Sequence, residues 1–170
     1  PRDVYVAVQA FDGSGNLLGS SVRFVATQNP TQNSSTRSGL DVAWVGDHYK
    51  VVVQPWGREW VVAGDFSATG ASLGGWANVD QLFGNTTLTS PPNLAYNPAN
   101  GRWAVAYVRA PSVGLISISV VEYANAGSMT ETARRQIFLD GGNFKQAKLV
   151  YHPPSGAWLD ALAAVVFDDG

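Results

Sequence analysis

The chain has 170 residues, 45% of them apolar and 11% aromatic, enough for one domain with a real core and too rich in strand formers for a disordered segment. A net charge of −2 gives no basic field for nucleic acid, and no apolar run reaches membrane-spanning length, the longest candidate (159–167) being interrupted by Asp160. With no cysteine there is neither a disulfide framework nor a thiol nucleophile.

In chain order, the first predicted element is a strand over Val4–Phe11, where "VYVAVQAF" alternates. A turn, "DGSGN", follows, and then a strand near Ser21–Thr27. Asp12, Ser14 and Asn16 alternate like the first ligands of a calcium loop. The motif returns as "FSATGASLG" at Phe66–Gly74 and as "YANAGSMTE" at Tyr123–Glu131. In each copy an aromatic residue leads and a glycine stands four positions on. The oxygens do not recur, since Asp12 becomes Ser67 and then Ala124. A calcium loop needs several carboxylates and usually a distal bidentate one. The recurring feature is turn chemistry, glycine where a positive φ is cheap, so no metal or cofactor is expected.

A second recurring piece lies between the turns. It reads "LDVAWVGDHYKVVV" over Leu40–Val53, "PNLAYNPANGRWAVAYV" over Pro92–Val108 and "AKLVYHPPSGAWLDAL" over Ala147–Leu162. Each is a short apolar strand ending in Trp44, Tyr96 or Tyr151, a polar turn, and a second strand opened by Tyr49, Trp103 or Trp158. That is a hairpin signal, with strand formers flanking residues that fix or permit turn dihedrals. The third strand of each unit is predicted at Val4–Phe11, Glu59–Phe66 and Leu115–Tyr123. The fourth is predicted near Ser21–Thr27, Trp76–Leu82 and Thr132–Phe138. No stretch has a helical period.

Four short strands repeating at roughly 55 residues are the sequence form of a β-propeller blade. The expected fold is all-β, a propeller-type array of four-stranded antiparallel blades. The units run approximately over 1–39 (strands three and four), 40–91, 92–146 and 147–170 (strands one and two), about three in all with permuted ends. Three blades are too few to close a ring of ordinary geometry. A second copy or a companion propeller fragment is therefore expected to complete it.

The pattern "LAYNPANGRWAVAYV" followed by "VYVAVQAFDGSGNLLG" resembles the degenerate propeller repeats of large secreted or surface bacterial proteins. The resemblance covers nearly the whole chain and implies architecture alone. The chain has no Gly-His…Trp-Asp pair of the WD40 type, no sialidase Asp-box and no integrin-type calcium loop in each repeat. Few lysines, with many Ser, Thr, Asn and Gly, agree with a secreted, periplasmic or surface location. A chain that opens on Pro1 without a secretory leader pattern is expected to be processed, trimmed or excerpted. The sequons at Asn33 and Asn85 matter only in a secreted eukaryotic protein.

The candidate chemistry is sparse. His48 and His152 both fall in the turn between strands one and two, where a polar residue needs no catalytic role. No Ser-His-Asp elbow, phosphate loop or zinc spacing occurs. Asp41 opens a first strand, and Asn93 and Lys148 are its counterparts, so a polar position recurs among apolar neighbours. These three are candidate ligand-binding residues at a channel mouth, although they could equally pair with one another. Asp41 and Asp160 are the candidate carboxylates for glycan hydrolysis or elimination. Asp160 stands where Val105 stands in the preceding unit, which a bulge or a basic partner would explain. Trp56, in "QPWGRE", is the candidate exposed aromatic for stacking on a sugar or anchoring a partner. The connections Gln28–Gly39, Gly84–Pro91 and Asp140–Gln146 are expected to build the ligand face. The leading expectation is a noncatalytic ligand- or protein-binding module. The alternatives are a glycan-active enzyme and a lectin.

Overall fold

The computed structural model describes residues 4–27, 39–54, 60–81, 87–88, 91–112, 115–140, 149–152 and 157–159. Among these residues every regular element is a strand, and every pairing is antiparallel. The first hairpin joins β1 (Val4–Phe11) to β2 (Leu17–Thr27). A four-stranded meander follows: β3 (Gly39–Trp44), β4 (Tyr49–Gln54), β5 (Trp60–Phe66) and β6 (Ala77–Gln81).

A second meander is built from β8 (Asn93–Asn97), β9 (Arg102–Ser112), β10 (Leu115–Tyr123) and β11 (Glu131–Asp140). A two-residue strand, β7 (Thr87–Leu88), lies in tandem with β8 along β9, pairing Ala110 and Arg109. The connection expected over Gly84–Pro91 is thus partly strand, because β9 outruns β8 and leaves an edge to be paired. A last hairpin joins β12 (Val150–His152) to β13 (Ala157–Leu159). The described strands form four separate sheets and no closed barrel.

The three hairpins share one register. Trp44 pairs with Tyr49, Tyr96 with Trp103 and Tyr151 with Trp158. These aromatic positions stand at the turn end of each hairpin, and the Trp44 and Tyr49 rings meet edge to face with centroids 4.8 Å apart. Strands three and four follow as expected, to within a residue or two at most ends. β2 departs most, beginning at Leu17 rather than near Ser21.

The sheets are layered face to face. Val8 of β1 packs with Val51, Val53, Val62 and Phe66 on one face of the first meander. On its other face Val52, Val61, Ala63 and Val79 meet Leu94, Trp103, Val105, Tyr107, Val121 and Tyr123 of the second. Ala95, Ala104, Ala106, Val108 and Ile118 on the far side of the second meander pack against Leu149, just before β12. Alternate residues of β9 therefore enter different cores: Trp103, Val105 and Tyr107 in one, Ala104, Ala106 and Val108 in the other. Large side chains fill one interlayer space and small ones the next, so both faces of the sheet are covered at close packing.

The glycine turns share one frame in two of their three copies. Asp12 N–H donates to Asn16 O and Gly15 N–H to Asp12 O; Ser67 N–H donates to Ala71 O and Gly70 N–H to Ser67 O. Gly15 and Gly70 have φ of 85° and 83°. Tyr123 pairs with Glu131, so the third loop spans 124–130, two residues longer than 12–16, and Gly127 has no positive φ. Its turn is closed by Ser128 N–H on Asn125 O. Gly15→Val is expected to cost about 1 kcal/mol or more, because a β-branched residue resists positive φ. Gly127→Val should cost much less. Paired thermal melts check the difference.

Candidate functional site

The recurring polar position is where the layers are tied together. Asp41, near the start of β3, reaches across to β8. Its Oδ2 accepts the Asn93 side-chain amide at 2.6 Å and the Leu94 backbone N–H at 2.9 Å. Its Oδ1 accepts the Val42 N–H at 2.9 Å. Asn93 passes the connection on, its Oδ1 accepting the Leu149 N–H at 2.6 Å. Each stapling side chain thus satisfies the amide that follows the same position in the next unit. A buried amide without an acceptor is costly, which gives the polar residue its place among apolar neighbours. Of the proposed ligand residues, Asp41 and Asn93 are brought together. Lys148, Trp56 and the second candidate carboxylate, Asp160, lie outside the described residues, as do the sequons and most of the long connections.

Lys50 is a charged group that sequence reasoning missed. It stands opposite Asp65 in the β4–β5 register. Its side chain is 1% exposed, its ammonium 2.5 Å from Asp65 Oδ1 and 4.5 Å from the centroid of the Trp103 ring in the facing sheet. His48, in the β3–β4 turn as expected, has Nδ1 2.5 Å from Asp47 Oδ1. Its Nε2 lies 3.3 Å from Asp65 Oδ1 but makes no hydrogen bond. This group seals an ammonium between two sheets against a carboxylate and an aromatic face, an ion pair reinforced by a cation–π contact. Its signal in the sequence was a lysine inside the strand run "YKVVVQ".

The Asp12 loop has the hydrogen bonds of a turn. Asp12 Oδ1 accepts the Ser14 and Asn16 backbone N–H groups, and Oδ2 accepts the Asn16 side-chain amide. Ser67 Oγ takes the same place in the second copy, accepting from Thr69 N–H and Ala71 N–H. The Asn16 side-chain amide, aided by the backbone amides, holds the Asp12 carboxyl below its ordinary range. On the second meander, Arg134 does the same for Glu131. Arg102 bridges to Glu122 at 2.7 Å on the exposed end of β9 and β10. Among the described residues, no group of three or more His, Cys, Asp or Glu converges as metal ligands would.

No protein-family model, curated protein or solved structure matches this chain.

Proposed function

We propose that this chain is a noncatalytic scaffolding and binding module of propeller-type blades, belonging to a secreted or surface protein. The staple from Asp41 through Asn93 to the Leu149 amide carries the reading. It ties strand one of each unit to strand one of the next, and it is made by the very position that recurs as polar in the sequence. Successive meanders layered face to face through like positions are what stacked blades require. The ligand, a carbohydrate or a protein, would sit on the connections from strand four to the next strand one.

The catalytic alternative needs Asp41 free to exchange a proton or attack a sugar, whereas three donors hold its two oxygens. The two readings differ in what Asp41→Ala does. As a staple, its loss leaves Leu94 N–H and the Asn93 amide without their acceptor, and stability falls by about 1–3 kcal/mol. A catalytic carboxylate would give unchanged or higher stability with activity abolished. Thermal melts, run beside reducing-end release from a panel of polysaccharides, separate them. Sugar release by the parent chain that Asp41→Ala abolishes, with no drop in melting temperature, would overturn the proposal.

A further inference from the structure

Val42, Leu94 and Leu149 hold the same place in three successive units, each directly after the stapling position. Leu94 is 7% exposed and Leu149 4%, but Val42 is 52% exposed. Trp44 and Tyr49 are likewise 45% and 37% exposed, while Trp103, the counterpart of Tyr49, is fully buried. Leu40 extends the row.

The cause lies one layer back. Leu94, Tyr96 and Trp103 are covered by the first meander, whose strands β3 and β4 lie over them and contribute Ala43 and Val52 to the shared core. The first meander is itself backed by the β1–β2 hairpin, which reaches Val51, Val53, Val62 and Phe66 through Val8. In a blade, β1 and β2 are strands three and four. Strands one and two, which would cover Leu40, Val42, Trp44 and Tyr49, are missing from that layer among the described residues.

We propose that this stripe is the docking face for the β12–β13 hairpin of a second copy of the chain. The proposal rests on the blade reading above. The chain itself shows what covers such a face: a hairpin of strands one and two closed by a paired aromatic couple. β12–β13 is a hairpin with the same backbone register, Tyr151 standing opposite Trp158 as Trp44 stands opposite Tyr49. It is also a half-layer, paired with no third strand among the described residues, while β1 pairs with no second strand. In both complete meanders strand two pairs with strand three, β4 with β5 and β9 with β10. One head-to-tail contact therefore covers the apolar stripe and sets β13 beside β1. Made twice, it joins two copies head to tail with twofold symmetry.

Sedimentation equilibrium of the full chain at micromolar concentration tests this. The expected result is a species of twice the chain mass. Val42→Asp, which places a charge at the centre of the stripe, is expected to weaken the dimer at least tenfold while the monomer stays folded by circular dichroism. Leu73→Asp, at an exposed apolar residue off the stripe, is expected to leave the dimer intact. If Val42→Asp fails to fold, Trp44→Ser serves in its place. A folded parent monomer, or a dimer indifferent to both stripe substitutions, overturns the proposal. If Asp41→Ala still lowers the melting temperature of that monomer, the blade reading stands and the docking alone has failed.

Discussion

Trp103→Ala is expected to cost about 3–5 kcal/mol, the range for emptying a large aromatic site in a core. Trp103 is fully buried between the two meanders. Its ring stacks on Tyr123 with centroids 4.1 Å apart and planes 13° from parallel. Its indole N–H donates to the carbonyls of Asn125 and Ser128, at 2.9 and 3.2 Å, and so anchors the 124–130 loop. The Lys50 ammonium lies 4.5 Å from the Trp103 ring centroid. Alanine removes the stack, the loop anchor and the cation's aromatic face together. Against a typical domain stability of about 5–15 kcal/mol, that loss takes much of what holds the fold. Trp103→Phe keeps a ring but not the N–H, and should cost markedly less. Urea midpoints for the two variants check both claims; a loss below about 1 kcal/mol for Trp103→Ala would mean that the stack does not form.

The second large effect is an asymmetry between the partners of the buried ion pair. Asp65→Ala leaves the Lys50 ammonium sealed between sheets with its carboxylate gone. Removing one partner of a buried pair costs about 3–5 kcal/mol. Asp65 is 32% exposed, so water reaches the pair and the low end, about 3 kcal/mol, is expected. Lys50→Met keeps the apolar stem against Trp103 and leaves Asp65 access to solvent, so its cost should be about 1 kcal/mol or less. Adding Lys50→Met to Asp65→Ala should restore most of the lost stability. Equal losses for the two single variants, or strict additivity in the double, would contradict this account.

Much of the fold is legible in the sequence because its signals are local. The aromatic pairs and polar turns of the three hairpins lie within a few residues, and the alternation of Val4–Phe11 and Leu115–Tyr123 marks strands directly. Gly15 and Gly70 are legible for the same reason. Gly127 misleads because its distance from the preceding aromatic is right, whereas the distance to the next paired residue, Glu131, is two residues longer than in the other loops. The polar character of Asp41 and Asn93 shows plainly, but not whether that row faces a ligand or the next layer. That depends on a sheet some fifty residues away in the chain. Lys50 is hidden by a different effect. In a sheet with one wet face, a lysine between Tyr49 and Val51 would point to water. Beyond Tyr49, β4 is packed on both sides, Val51 and Val53 in one core and Val52 in the other, and alternation no longer separates inside from outside. Only the β4–β5 register supplies the Asp65 that makes its burial tolerable.

The two meanders lie face to face, with the ammonium of one set against the aromatic ring of the other. Proton NMR of the folded chain tests it most directly through the Lys50 ε-methylene. Those protons are expected to be ring-current shielded and to show nuclear Overhauser contacts to the Trp103 indole. Unshielded Lys50 ε-protons, with no contact to that indole in a chain that melts cooperatively, would contradict it.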